Sequence, residues 1–389
     1  MMNNKIKKLA AYMSAVVLVG IAVLANAPAI RVSAAEVKPT PLPLATPMPE
    51  EPEVTPAPAA EGEAAPAVAP AAPTGPVSSL TGLPTTPDQE NQRPIAVMMP
   101  TDKACQPSYG ISYADILYEV MEEGNISRQL AVIDTWQGLS RIGNIRSCRD
   151  YYISLACEWD PILIHFGGVV YMKDRITAPD INNLSGVAEY GVGGEHPGSS
   201  QFFRTTDRSA PHNAYISATG ILNGCQEAGY SLTHRAEYYN PGHFLFAQGV
   251  NTLEQYAAVL PGTVLDLSNI FPYTKSSFTY DAATGLYMKN IHGGAQKDGI
   301  NGQQLAFTNV IIQKTQWSKR DTKGYLAFQV IGSGEGYYFT QGRGIHITWK
   351  KTGDYAPTKY YDDNGNEIML NPGKTYIAVA QNDKTLKNS

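Results

Sequence analysis

Ile116-Leu-Tyr-Glu-Val-Met-Glu122 and Gln129-Leu-Ala-Val-Ile-Asp-Thr-Trp136 are two apolar runs joined across Gly124-Asn125. A Gly-Asn pair tolerates the positive φ angles of a tight turn, so the stretch predicts an antiparallel hairpin. Upstream, Ile95-Ala-Val-Met-Met99 is a short apolar run closed by Pro100 and predicts a buried strand. Downstream, Ser147 is placed as the N-cap of a helix running through Tyr151, Ile153 and Leu155 to about Glu158. Pro161-Ile-Leu-Ile-His-Phe166 reads as a strand ending on Gly167-Gly168, and a second helix is expected from Ser217 to Ala228, stopped by Gly229. This succession gives segment 80–268 a mixed α/β character and places the chain in the α+β class.

From 269 to 389 the pattern is nearly all strand. Ala306 to Gln313, Tyr325 to Ile331, Tyr337 to Gln341, Ile345 to Lys350 and Thr375 to Ala380 are short β-rich runs between glycine-containing turns, and Asp363-Asn364-Gly365 marks a hairpin. A smaller, mostly-β domain, a barrel or a sandwich, is predicted. Two domains also suit a body longer than one ordinary core supports.

The first 79 residues are of another kind. Lys5, Lys7 and Lys8 precede an apolar run from Leu9 to Leu24, and small residues follow at Ala25-Asn26-Ala27 and Val32-Ser33-Ala34. That order predicts a secretory signal peptide over 1–34, with an uncleaved membrane anchor as the alternative. From 35 to 79 the chain is rich in Pro, Ala and Glu and has no aromatic residue, so a disordered linker is expected. The chain as a whole has 30 Lys and Arg against 35 Asp and Glu, and lacks the basic excess of a nucleic-acid binder.

Ordered motifs in the body carry a resemblance. Leu80-Thr-Gly-Leu-Pro84, Asn91-Gln-Arg-Pro-Ile-Ala-Val-Met98, Ala114-Asp-Ile-Leu-Tyr-Glu119, Ile142-Gly-Asn-Ile-Arg-Ser-Cys-Arg149, Ile164-His-Phe-Gly-Gly168 and Ala210-Pro-His-Asn213 resemble the YerB-like lipoprotein family, also called domain of unknown function 3048. Asn309-Val-Ile-Ile-Gln313, Gly344 to Lys350 and Leu370-Asn-Pro-Gly-Lys-Thr375 are similar to that family's separate C-terminal domain. The resemblance implies a bacterial, exported, two-domain envelope protein and implies no reaction. Family members commonly carry a lipid on an N-terminal cysteine, and this sequence has no cysteine near the cleavage region.

The densest polar constellation is Arg141, Arg146, Ser147 and Arg149, with Arg128 on the preceding strand. Arginine forks beside a helix start suit phosphate or carboxylate. The same arginines could equally neutralise Asp115, Glu119, Glu122 and Glu123, and spacing does not separate the two readings. His165, beside Gly167 and Gly168, and His212, beside Asn213, are candidate general bases, with Glu119 as a carboxylate partner. Glycines at 167 and 168 would let a substrate or another backbone approach closely. No HExxH, CxxC or EF-hand pattern occurs, so neither metal nor cofactor is expected. Cys105, Cys148, Cys157 and Cys225 allow two disulfides or four free thiols, and Cys148 beside Arg149 is a remote nucleophile candidate. Tyr338 and Trp349 are candidates for stacking on sugar rings if they reach solvent.

Two classes follow: a non-catalytic envelope module binding an anionic or glycan cell-wall ligand or a partner protein, and a hydrolase of phosphodiester or glycosidic links using His165, His212 and Glu119. They are discriminated by whether Glu119, Arg146, His165 and His212 meet in one pocket.

Overall fold

Ile95–Pro100 (β1) is buried at every position, as are Ile116–Met121 (β2) and Ser127–Ile133 (β3). Strands that lack an exposed face lie inside layers, which is why these runs read as continuously apolar instead of alternating. The computed structural model describes residues 75–187 and 198–389; the expected signal segment and nearly all of the expected linker lie outside them.

Further along the chain are helix α1 (Asp150–Cys157), strands β4 (Ile162–His165) and β5 (Asn183–Ser185), and helix α2 (Ala218–Ala228). They are followed by β6 (Ser277–Asp281), β7 (Leu286–Ile291), β8 (Asn309–Thr315), β9 (Gly332–Thr340), β10 (Arg343–Lys351) and β11 (Thr375–Gln381). The hairpin at Gly124-Asn125 forms as its turn chemistry requires, with φ of 72° and 60° at the two residues and β2 antiparallel to β3. Helix α2 is capped as expected: Ser217 Oγ accepts from Gly220 N, and Gly229 closes it at φ 67°. Ser147 does not cap α1. Arg149 holds that position, and Ser147 donates its hydroxyl to Phe166 O at 3.2 Å.

One sheet of eleven strands runs through both parts of the body in the order β10-β9-β8-β11-β2-β3-β1-β4-β5, with Leu260–Pro261 and Lys359–Tyr361 both pairing with β10. β11 lies parallel to β2 on one side and to β8 on the other, so residues 116–120 pair with 375–379. The fold is mixed α+β and sheet-rich, and the β-rich part divides its strands between this sheet and a second, six-stranded one built on β6 and β7. β7 alternates buried and half-buried residues, as a sheet with one packed face must. The two sheets pack face to face in sandwich fashion, with Phe278 and Phe307 against Tyr376 at ring separations of 4.7 and 5.7 Å.

Helix α1 covers the other face of the β2–β3 hairpin. Tyr151 donates to Met121 O, and the Tyr152 hydroxyl, shared between Val120 O and Arg128 O, lies within 3.0 Å of both. Tyr338 and Trp349 are buried to 0% and 1% exposure, so neither reaches a sugar. Both lie on the packed face of strands whose other face is partly exposed, and each polar tip is used internally, by Asn309 Oδ1 and Lys314 O.

All four cysteines are buried and unbridged, so the two-disulfide alternative is not realised. Burial pushes the Cys148 thiol far up, against the pull of Arg149, which removes it as a nucleophile. Denatured full chain is expected to show four titratable thiols without reductant, and a rise on reduction would overturn this. Among the described residues no helix is long and apolar enough to cross a membrane.

Candidate functional site

Glu119 points from β2 into the space between the two sheets and is 0% exposed. It accepts from Ser127 Oγ (2.7 Å), Gln129 Nε2 (3.1 Å), Ser276 Oγ (2.8 Å), Lys289 Nζ (3.0 Å) and Tyr376 OH (2.9 Å). Burial opposes its ionisation, but Lys289 and the serine hydroxyls outweigh burial and hold the carboxyl below its ordinary range. This is a saturated internal anion, closed to substrate.

The arginines divide into two groups. Arg128 and Arg149 meet Glu122 Oε2 at 2.8 and 3.2 Å, Arg149 also binds Glu123, and Arg128 donates to Ser147 O at 2.6 Å. These two are the structural ion-pair network. Arg146 is not part of it: among the described residues its guanidinium donates only to Pro211 O, at 3.3 Å, and burial together with the Arg128 cation pulls its pKa down.

His165 lies buried at the end of β4, bonded to Gly167 O (2.8 Å) and Asn183 Oδ1 (3.0 Å). The neighbouring glycines serve the protein's own packing. A Cβ on Gly168 would fall 2.1 Å from Met172 Sδ, and Cys148 N donates to Gly167 O at 3.0 Å, so the close approach is that of another backbone. His212 stands elsewhere, with Nδ1 2.9 Å from Cys105 Sγ. Among the described residues, the bonds to Glu119, His165 and His212 come from separate groups.

The loop from Arg204 to Asn213 gathers the groups that face solvent. Buried Asn213 pins it, accepting from Arg204 Nη1 at 2.8 Å and donating to Thr205 O at 2.7 Å. Arg208 donates to Cys105 O and, at 2.7 Å, to Pro107 O. Asn144 fastens the loop from beneath by donating to both Cys105 O (3.2 Å) and His212 O (2.7 Å). Arg141 belongs to the frame: it lies between the rings of Tyr109 and Tyr215, 3.7 and 4.0 Å from their centres, and pairs with Asp207.

Arg146, Arg204 and Arg208 therefore converge on one loop with carbonyl and amide partners, and none forms an ion pair among the described residues. The Cys105 thiol reports their proximity. Burial and Asp102 push it up to about 12, while Arg146 and Arg208 both pull the other way. Guanidinium groups stay charged at any working pH, so this face is cationic. Chemically it can hold an anion; its one base beside a thiol is His212 against Cys105 among the described residues, and burial holds that thiol in its protonated form. Among the described residues, no cluster of three His, Cys, Asp or Glu could hold a metal.

Sequence reasoning found Arg146, His212 and Asn213 but missed Arg204, Arg208, Cys105 and Asn144. A signal was present, because Arg204-Thr-Thr-Asp-Arg208 sets two cations around one carboxylate directly before Ala210-Pro-His-Asn213. Asp207 forms its ion pair with Arg141, and neither Arg204 nor Arg208 forms one among the described residues.

Residues 80–231 match the protein of unknown function (DUF3048) N-terminal domain, and residues 268–377 match the DUF3048 C-terminal domain. The chain is 29% identical over 301 residues to a Bacillus subtilis (strain 168) protein named "Putative lipoprotein YerB", covering 77% of this chain and 85% of that one. The crystal structure of the YerB protein from Bacillus subtilis superposes with a TM-score of 0.66 at 25% identity, covering 80% of this chain and 99% of the other.

Proposed function

The chain belongs to the YerB-like family with DUF3048 N- and C-terminal domains, and from that premise we propose that it is an exported, non-catalytic module of the cell envelope that holds an anionic ligand on its arginine face. Likeness to a lipoprotein fits an envelope protein of unknown activity. The observation that carries the binding reading is the trio Arg146, Arg204 and Arg208, held by carbonyls and an amide and left without carboxylate partners among the described residues. A structural arginine normally ends on a carboxylate, as Arg128, Arg149 and Arg141 do here. The hydrolase alternative has less support, since Glu119 is sealed between sheets while His165 and His212 have separate surroundings.

The test is sedimentation of the full chain with purified bacterial cell walls, intact or stripped of their anionic polymers. Retention on intact walls is expected, falling with salt and with stripping. Arg146→Glu combined with Arg208→Glu should lower it at least about tenfold, because charge-assisted hydrogen bonds contribute about 1.5–3 kcal/mol each. No phosphate or reducing sugar should appear in the supernatant. Unchanged retention by the double variant would sink the arginine reading, and enzyme-dependent product release would sink the non-catalytic one.

A further inference from the structure

A cavity of about 420 Å³ opens between the segment Lys103–Pro107 and the hairpin Ile291–Lys297. Its size falls in the range of small-ligand sites, roughly 300–1,000 Å³. Its charge is one-sided. Lys103 and Lys297 stand exposed on its walls without ion-pair partners among the described residues, and no aspartate or glutamate lines it. Pro107, Ile291 and Ala295 supply an apolar floor. The Gln106 side chain anchors itself by donating to Pro100 O at 3.1 Å, which leaves its carbonyl oxygen buried and without a partner among the described residues. Native proteins rarely leave such an atom unmatched. At the rim Gly294 has open space where a side chain would stand.

The cavity adjoins the arginine face. Arg208 donates to the carbonyls of Cys105 and Pro107, so its guanidinium caps the very segment whose Lys103, Gln106 and Pro107 form one cavity wall. Two cationic surfaces thus share a wall, with an apolar and amide-lined recess between them. A single small anion would use only one of them. A chain with regularly spaced anions and hydroxyl-bearing units between would use both, placing a unit in the recess and its neighbouring anions on the lysines and on Arg208. No phenylalanine, tyrosine or tryptophan lines the recess, whereas single-stranded nucleic acids are ordinarily held by stacking bases on such rings.

We infer that the ligand of this protein is an anionic sugar or polyol chain, seated with one unit in the cavity between Lys103–Pro107 and Ile291–Lys297 and its flanking anions on Lys103, Lys297 and Arg208. This rests on the arginine reading above and adds the class of ligand and a second subsite.

Calorimetric titration of the full chain tests it with oligogalacturonates of increasing length and with poly(glycerol phosphate), which separate a carboxylate from a phosphodiester source. Neutral dextran oligomers, oligothymidylate, polyglutamate and inorganic pyrophosphate serve as comparisons. At least one hydroxylated polyanion is expected to bind about tenfold or more tightly once long enough to span both surfaces, a gain of about 1.4 kcal/mol. Lys103→Glu with Lys297→Glu should remove that gain and leave pyrophosphate binding within about twofold, since pyrophosphate needs only the arginines. The inference is overturned if length brings no gain, if the lysine variant binds long chains unchanged, or if oligothymidylate or polyglutamate binds as tightly. Absent pyrophosphate binding with a lysine-dependent length effect would instead refute the arginine reading alone.

Discussion

Lys289→Met is expected to lower the melting temperature of the full chain by roughly 10 °C, from a loss of about 3–5 kcal/mol. Glu119 and Lys289 are both 0% exposed and face each other across the two sheets at 3.0 Å. Removing the ammonium leaves a carboxylate that cannot return to water and whose remaining partners, all neutral, were arranged around an ion pair. Lys289 also packs over Phe278 and Tyr376, 5.0 and 4.6 Å from the ring centres, so methionine keeps the volume and loses the charge. The double variant Glu119→Leu with Lys289→Met should recover most of the loss, because apolar pairs often replace buried ion pairs at little cost. Calorimetric melting of the three proteins is the measurement. A single variant within about 1 kcal/mol of the parent would show that the pair does not hold the sheets together.

The second large effect is loss of stability in mild acid through His243. Its ring is 1% exposed and lies stacked 3.7 Å from Trp159; Nε2 stands 3.4 Å from Glu158 Oε2, a carboxylate already shared with Lys351, and neither nitrogen makes a hydrogen bond among the described residues. Burial first, then the Lys351 and Lys359 cations, pull its pKa well below the ordinary 6.5. The unfolded chain takes up this proton near pH 6.5, whereas the folded chain refuses it until a much lower pH. Stability is therefore fully present above pH 6.5 and declines as pH falls from there toward the folded pKa, at about 1.4 kcal/mol per unit for one proton. His243→Phe keeps the stack and has no proton to gain. It should change stability at pH 8 by less than about 1.5 kcal/mol and flatten the decline between pH 6.5 and 5 in urea titrations. An equally steep decline in the variant would place the acid sensitivity elsewhere.

Local chemistry made the hairpin at Gly124-Asn125, the strand Ile95–Pro100 and the helix after Ser217 legible, since each is governed by residues within a few positions of one another. Partnerships across hundreds of residues left no such mark. Glu119 in an apolar strand looked like a buried catalytic carboxylate because Lys289, 170 residues away, is invisible from its neighbourhood. Ser147 looked like a cap because its hydroxyl precedes a helical pattern, yet a strand end at Phe166 claims it. Of the arginine cluster, Arg146 could be found but not sorted from Arg128 and Arg149. Only the fold decides which cations receive a carboxylate. Tyr338 and Trp349 failed as sugar contacts for a related reason: alternation along a strand does not reveal which of its two faces the rest of the fold covers, and both rings lie on the covered one.

The placement of β11 between β2 and β8 bears on how the molecule is made. Synthesis delivers residues 116–121 long before residues 375–381. Until β11 arrives, β2 has one side of its backbone unpaired, an open template for any other extended chain. That edge of β2 is covered only once β11 has been made. β11 thus works as a lock, because its arrival closes the gap between β2 and β8.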